Sequence, residues 1–215
     1  PGGRVTAPPV EAGAPRVPPA VLAATVSWLL VVGAGMGILV DDAARPGEAD
    51  EPPPSWPVAS GVRRTPGRPV VVMLVHPRCP CSRASLEELA RIAARAPGRG
   101  DLAVLFLKPA GAPESWWRSD EWGAAEAIPA TQVVADEDGR EAARFGARTS
   151  GHTLFYDGGG LLRFSGGITG ARGHAGDNAG QAALLALLGG GRPARDRTPV
   201  FGCALRDPAG GKEDA

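Results

Sequence analysis

Three cysteines are the residues of this 215-residue chain with the clearest capacity for chemistry. Cys79 and Cys81 are separated only by Pro80, and Cys203 follows much later in the chain. Three cysteines are too few for a disulfide scaffold, and pairing any two of them leaves one thiol over. The cysteine content therefore favours a reactive or metal-binding role.

The residues around the first two cysteines predict where their sulfurs lie. Val70–Val75 is a continuous, mostly β-branched apolar run, typical of a central strand that is covered on both faces. Apolar residues then recur at helical spacing from residue 86, and proline is favoured at the first helical position. Pro80 therefore predicts Cys79 as the N-cap and places both sulfurs near the positive end of the helix dipole, which favours thiolate over thiol. At least one of the two cysteines should be reactive.

A disulfide between Cys79 and Cys81 would close a small, strained ring, because residues two apart on a helix point away from each other. Cys203 is a second candidate partner, provided that the C-terminal tail folds back over the site. The apolar residues 199–201 just before it suit such docking. His76, three residues before Cys79, is a candidate for proton transfer, although a histidine at a strand end also commonly hydrogen-bonds to the backbone.

Two further interpretations remain open. The same thiols, joined by histidines, form a possible ligand set for a soft metal such as Cu(I). Its members would be His76, Cys79, Cys81, Cys203 and His174. Otherwise no cofactor is expected. The last alternative is a domain that only binds other proteins and carries out no redox chemistry.

The folded part of the chain is predicted to span residues 69–190. Its apolar patterns and turn residues give the element order β-α-β-α-β-α-β-β-α, with helices near residues 80–95, 116–127, 140–145 and 181–188. Strands that alternate with helices imply a parallel sheet, and the final hairpin adds an antiparallel edge. The predicted class is therefore α/β, with a central mixed sheet and helices on both faces.

This order, together with Cys79-Pro80-Cys81 at the junction of strand and helix, resembles the thioredoxin-like superfamily. The segment from Phe145 to Asp157 is similar to the superfamily's second landmark, where a short helix leads through a tight loop into the hairpin. The resemblance implies a thioredoxin-like fold and thiol-disulfide exchange with a protein partner. The chain departs from the pattern in two ways, since one residue rather than two separates the cysteines and His152 stands where a cis-proline is common.

A second resemblance covers motifs spread along the chain. These are His76-Pro77-Arg78-Cys79-Pro80-Cys81, Gly166-Gly167-Ile168-Thr169, Arg172-Gly173-His174 and Pro199-Val200-Phe201-Gly202-Cys203. Together they are similar to bacterial membrane-anchored thioredoxin-like proteins of the RedB type. That likeness implies a bacterial protein held at a membrane.

Residues 20–40 form an uncharged apolar run that would reach roughly 31 Å as a helix, enough to cross a bilayer core. We predict a single-pass transmembrane helix, with a cleaved signal peptide and a buried soluble helix as alternatives. The slight excess of arginine before the run places the C-terminal domain in the periplasm or otherwise outside the cytoplasm. Residues 1–19 are predicted to be disordered, 41–68 to be a Pro-rich linker, and 191–215 to be a tail that carries Cys203.

The composition also excludes some partners. Lys and Arg number 23, and so do Asp and Glu, so the formal net charge is zero and nucleic acid is not an expected partner. The glycine-rich stretches match neither a phosphate-binding loop nor a dinucleotide fingerprint, so no nucleotide is expected.

Overall fold

The structure is a computed structural model that describes residues 18–205. In chain order its elements are α1 (Pro19–Ala44), β1 (Val70–Val75), α2 (Ser82–Arg95), β2 (Asp101–Lys108), α3 (Glu114–Trp117), α4 (Asp120–Glu126), β3 (Thr131–Glu137), α5 (Arg140–Arg144), β4 (His152–Tyr156), β5 (Leu162–Gly166) and α6 (Ala179–Leu188). The strands form one sheet in the order β3-β2-β1-β4-β5. β1, β2 and β3 are parallel, whereas β4 and β5 are antiparallel to their neighbours. The predicted α/β class with a terminal hairpin is confirmed.

β1 is the centre of the core, and all six of its residues are buried. Its odd-numbered side chains lie in a cluster with apolar residues of α2, α4 and α6. Its even-numbered side chains pack on the other face with α5 and with residues 56 and 62. Apolar layers on both faces explain why this strand is a continuous apolar run, and they fix the position of the turn that carries Cys79.

α1 is long and apolar enough to cross a membrane, and it includes the whole of the predicted span. None of its residues is buried, so it is not the core helix of a soluble protein. A signal sequence near the N-terminus has the same length and apolar composition, so these two properties of α1 fit a membrane span and a signal sequence equally. The predicted disorder of the first segment concerns residues that lie, except for the last two, outside the described range.

The predicted linker packs against the folded domain rather than acting as a spacer. The Trp56 ring lies 5.3 Å from the rings of both Phe145 and Tyr156, measured between centroids. The Tyr156 hydroxyl donates to the carbonyl of Pro53 at 3.1 Å, and Val62 is buried. Residues 43–205 belong to one compact unit, so the folded unit begins well before the predicted boundary at residue 69. The apolar side chains of Trp56 and Val62 are the physical reason, because they complete the core beside α5.

Two local predictions near the cysteines are corrected. Residues 116–127 do not form one helix, since α3 ends at Trp117 and α4 begins at Asp120. The N-cap of α2 is Cys81 rather than Cys79. The reason is a tight turn, in which the Cys79 N–H donates to the His76 carbonyl at 3.1 Å and the Cys79 carbonyl accepts from Ser82 at 3.0 Å. The turn delays the start of the helix to Ser82, yet both cysteines still lie at its positive end.

Candidate thiol site

The candidate site lies at one edge of the sheet, where β1 ends and β4 begins. These strands are antiparallel, so the turn after β1 and the loop before β4 are neighbours. The Gly151 N–H donates to the Leu74 carbonyl at 2.7 Å, which joins the loop to the end of β1. The turn brings Cys79, and the loop brings residues 148–150.

A pair of buried serines holds this loop against the turn. The Ser150 hydroxyl accepts from the backbone N–H of His76 at 2.9 Å, and it lies 2.9 Å from the Ser82 hydroxyl. Ser82 in turn donates to the His76 carbonyl at 3.1 Å. Because both hydroxyls are buried and satisfied, they fix the turn that positions Cys79.

Residues 199–205, here called the tail strap, pair with that loop. The Ser150 N–H donates to the Cys203 carbonyl at 2.8 Å, and the Leu205 N–H donates to the Arg148 carbonyl at 2.7 Å. Thr149 and Ala204 form an antiparallel bridge between these bonds. Val200, Phe201 and Leu205 are buried. The strap therefore adds a short antiparallel strand that brings Cys203 to Cys79, whereas residues 206–215 of the predicted tail lie outside the described range.

The strap approaches the loop so closely that Gly202 has no room for a side chain. A Cβ atom there would lie 2.1 Å from the Ser150 carbonyl oxygen. On its other side, the Gly202 carbonyl accepts from Arg172 Nη1 at 2.7 Å. Gly202 is thus held between the loop before β4 and the loop before α6.

Cys79 is the central sulfur of the site. Its side chain is only 1% exposed, whereas Cys81 and Cys203 are half-buried. The Cys203 N–H lies 3.4 Å from the Cys79 Sγ atom. The thiols of Cys203 and Cys81 also act as hydrogen-bond donors to the Cys79 sulfur, and none of the three cysteines is in a disulfide bond.

These contacts separate the acidities of the three thiols. Burial acts to raise the pKa of Cys79, but hydrogen bonds from the Cys203 thiol, the Cys203 N–H and the Cys81 N–H outweigh it, so the pKa is lowered. Burial and the charge on Cys79 raise the pKa of Cys81, and they raise that of Cys203 to about 12. Cys79 is therefore the thiol of the three that ionises most readily, with the other two thiols as donors to it.

Arg172 is the positive group of the site. It acts on Cys81 and Cys203 in the direction that lowers their pKa values, although burial and Cys79 prevail. Its Nε atom is buried and has no hydrogen-bond partner within residues 18–205. The loop that carries Arg172 is held by Glu88, a fully buried carboxylate that accepts from the Gly176 N–H at 2.6 Å and from the Gln181 amide.

The histidines have different surroundings from the thiols. His76 Nδ1 accepts from the Arg78 N–H at 3.1 Å, and its ring lies edge-on to Trp116 with centroids 5.5 Å apart. His174 is exposed, and its Nδ1 lies 2.7 Å from the Arg172 carbonyl. His152 is buried, and its Nε2 lies 2.8 Å from the Ser165 hydroxyl. These contacts of His76 include one that stabilises the turn before α2, and its part in proton transfer stays a prediction.

The predicted metal ligands are His76, Cys79, Cys81, Cys203 and His174. Across residues 18–205, no group of three or more His, Cys, Asp or Glu side chains is arranged to hold a metal ion. Copper binding remains a prediction that metal analysis of the protein would test.

Ser82, Ser150 and Arg172 belong to the site, but the sequence did not single them out as functional residues. Serine is common in turns, so neither hydroxyl gives a distinctive pattern. Arg172 does lie two residues before His174 in one of the motifs that carry the second resemblance, and this is the signal that pointed to its loop. The sequence drew attention to the histidine, whereas the structure brings the arginine to the sulfurs.

Comparison with known proteins gives similarity in structure alone. No protein-family model matches the chain, and no curated protein matches it. An uncharacterized conserved protein from Geobacillus kaustophilus is 20% identical with a TM-score of 0.56, and the match covers 78% of this chain and 95% of that one. The hypothetical protein SMc02350 from Sinorhizobium meliloti 1021 is 22% identical with a TM-score of 0.54, over 77% of this chain and 96% of that one.

A more distant likeness, at 19% identity and a TM-score of 0.40, is to a secreted Mycobacterium tuberculosis disulfide oxidoreductase homologous to E. coli DsbE. It covers 58% of this chain and 83% of that one.

The observed topology has a parallel β1, β2 and β3, a terminal hairpin, and cysteines at the junction of β1 and α2. The chain therefore has a thioredoxin-like fold.

Proposed function

We propose that this protein is a membrane-tethered thiol-disulfide redox protein in which Cys79 and Cys203 form the redox-active pair. The observation that carries the proposal is the placement of Cys203 on Cys79, with both its N–H and its thiol hydrogen-bonded to the Cys79 sulfur. A thiolate held against a second thiol is the arrangement from which an intramolecular disulfide forms.

The proposed reaction proceeds through a mixed disulfide. The Cys79 thiolate attacks one sulfur of a partner disulfide, forming a Cys79-partner bond and releasing the partner's other sulfur as a thiolate. Cys203 then loses its proton to solvent and attacks the Cys79 sulfur, which releases the second partner thiolate. Two electrons pass from the two protein thiols to the partner disulfide, and the reverse sequence oxidises a partner dithiol.

Cys203 is favoured over Cys81 as the partner of Cys79 in this pair. A disulfide across the single residue Pro80 closes a small ring, whereas the tail strap brings Cys203 to Cys79 from a separate part of the chain. Cys81 is the half-exposed third thiol, and the same exchange chemistry would allow it to relay a disulfide to Cys79.

Access to Cys79 requires movement of the tail strap. A sulfur that is 1% exposed cannot meet a partner disulfide, so the strap must leave the loop before the first attack. Its backbone pairing with Arg148 and Ser150 then returns Cys203 to Cys79 for the second step. In this scheme the strap both protects the thiolate and delivers the resolving thiol.

The proposed setting is the outer side of a bacterial cytoplasmic membrane. α1 has the length and composition of a membrane span, and its slight basic bias on the N-terminal side favours a periplasmic domain. The partner would be another protein with a reactive dithiol or disulfide, since the site offers sulfur chemistry.

The test is to oxidise the purified domain mildly and to map the disulfide by mass spectrometry. The proposal expects reversible loss of two thiols and a Cys79-Cys203 linkage that persists in Cys81→Ser. Cys203→Ser should lose that linkage, and a Cys79-Cys81 bond in the unaltered protein would contradict the pairing. Failure to lose any thiols would instead support the alternative of a domain that only binds proteins, and copper analysis of the same preparation tests the metal alternative.

A further inference from the structure

We propose that Arg172 activates the resolving thiol: it holds the tail strap through the Gly202 carbonyl and supplies the positive charge under which Cys203 attacks. This inference rests on the proposed function, which supplies the mixed disulfide on Cys79. It gives Arg172 a positioning and charge-stabilising role in the second step.

The geometry places Arg172 at the junction of all the parts of the site. Its Nη1 donates to the carbonyl of Gly202, the residue directly before Cys203, at 2.7 Å. Its guanidinium also hydrogen-bonds to the Cys81 sulfur. The buried Nε atom has no partner within residues 18–205, so one donor of this guanidinium remains unused.

The loop that carries Arg172 is anchored independently of the strap. Glu88 binds the Gly176 N–H and the Gln181 amide, and the Asn178 side chain donates to the Ile168 carbonyl at 2.7 Å. Glu88 itself lies on α2, the helix whose first turn adjoins the cysteines. The arginine is therefore fixed to the same frame as Cys79 and does not depend on the strap for its position.

Charge explains why Arg172 matters in the second step rather than the first. The charged and titratable groups that act on Cys203 are Cys79 and Cys81 from the turn before α2 and Arg172 from the loop before α6. In the resting protein, burial and the Cys79 thiolate keep the pKa of Cys203 at about 12. When Cys79 enters a mixed disulfide it becomes neutral, and its opposing effect is removed. Arg172 then remains as the charge that favours a Cys203 thiolate at the moment it must attack.

The size of the effect follows from thiolate chemistry. For each tenfold loss of thiolate, a rise in intrinsic nucleophilicity recovers about threefold, so the rate falls by about threefold. Loss of the bond to Gly202 adds a second reduction, because the strap then spends less time over Cys79. The charge contribution changes with pH, whereas the positional contribution does not.

The experiment uses the Cys81→Ser protein, in which Cys79 and Cys203 are the remaining cysteines, and the aromatic disulfide 5,5′-dithiobis(2-nitrobenzoic acid). The first coloured thiolate reports attack by Cys79, and the second reports resolution by Cys203. Adding Arg172→Gln should slow the second phase by about threefold or more at neutral pH and move its pH midpoint upward. Arg172→Lys, which keeps the charge, should restore the midpoint without restoring the full rate. Arg163→Gln is the matched control, because Arg163 is exposed and paired with Asp157.

Each outcome decides the proposal. An unchanged second phase in Arg172→Gln overturns it, and equal slowing at every pH in the Gln and Lys variants overturns the charge role. Arg172→Met is a second neutral variant, which carries the test if the Gln variant does not fold. Absence of a first phase in the parent would overturn the proposed function and this inference with it, so the two failures are distinguishable.

Discussion

Replacing Gly202 with alanine is expected to release the tail strap and expose Cys79 without touching either sulfur. The new Cβ atom would lie 2.1 Å from the Ser150 carbonyl oxygen and 3.0 Å from its carbon. Both are backbone atoms that belong to a loop fixed by the end of β1, so they cannot rotate away as a flexible side chain would. The strap must therefore move outward.

The cost of this movement can be estimated from the bonds that it breaks. The strap loses the bonds of Cys203 with Ser150 and of Leu205 with Arg148, as well as the N–H contact on Cys79. At about 0.5–1.5 kcal/mol net for each, the loss is about 1.5–4.5 kcal/mol. If those bonds hold the closed state, opening becomes about 10-fold to 1,000-fold more frequent, since 1.4 kcal/mol is about a factor of ten.

The assay is the rate at which iodoacetamide alkylates Cys79, followed by mass spectrometry. We expect Gly202→Ala to accelerate it at least about tenfold, within the range set by those three bonds. Loss of the Cys203 hydrogen bonds would also raise the pKa of Cys79 and reduce its thiolate fraction. Measurements at neutral and alkaline pH separate the two effects, because only the thiolate fraction depends on pH.

Gly170→Ala is the control for this experiment. Gly170 lies in the nearby loop before α6, and a Cβ atom there would meet nothing within 4 Å. It should leave the alkylation rate unchanged. If Gly202→Ala also leaves Cys79 as protected as in the parent, the strap is not what covers the sulfur, and the access argument fails.

Three further predictions concern stability. Glu88→Ala should lower the free energy of unfolding, measured by urea denaturation, by about 2–4 kcal/mol, because it leaves buried donors without their acceptor. The control is Glu87→Ala at the exposed neighbouring position, which should change that free energy by no more than about 0.5 kcal/mol. Trp56→Ala should cost about 2–4 kcal/mol in the same assay, since it removes half-buried aromatic packing, and Val58→Ala, at a 99% exposed position, should cost almost nothing. Burial lowers the pKa of His152 from 6.5 to about 4. As the pH falls, the unfolded chain therefore binds a proton on His152 before the folded protein does. Stability should therefore fall by about 3 kcal/mol as pH drops from 6.5 to 4, and His152→Gln should flatten that slope.

The sequence predicted the sheet well because its strands are distinctive. Val70–Val75 has no polar residue and is mostly β-branched, which is typical of a strand covered on both faces. The three glycines at residues 158–160 indicated the turn of the hairpin between β4 and β5, because glycine is one of the residues that tight turns favour. Asn178 is the N-cap of α6, where its side chain accepts from the Gln181 N–H at 2.9 Å, and asparagine is among the residue types preferred at that position.

Long-range packing is what local patterns could not supply. Residues 52–57 look like a spacer because proline dominates them, yet Trp56 finds its partners on α5 and β4, far along the chain. The helix boundary at Cys81 likewise depends on the His76 carbonyl and the serine pair that contacts it. Neither interaction leaves a periodic signal in the sequence.

The one-residue spacing of Cys79 and Cys81 is best understood together with the tail strap. Pro80 and the tight turn hold Cys79 beneath the strap and move the N-cap to Cys81. The sulfur with the lowered pKa is thereby the least exposed of the three, so it is protected as well as activated. An activated thiolate that is buried needs a second thiol that can reach it and then leave. A cysteine on a strap held by backbone hydrogen bonds and one arginine meets that requirement, whereas a cysteine fixed at the start of the same helix does not.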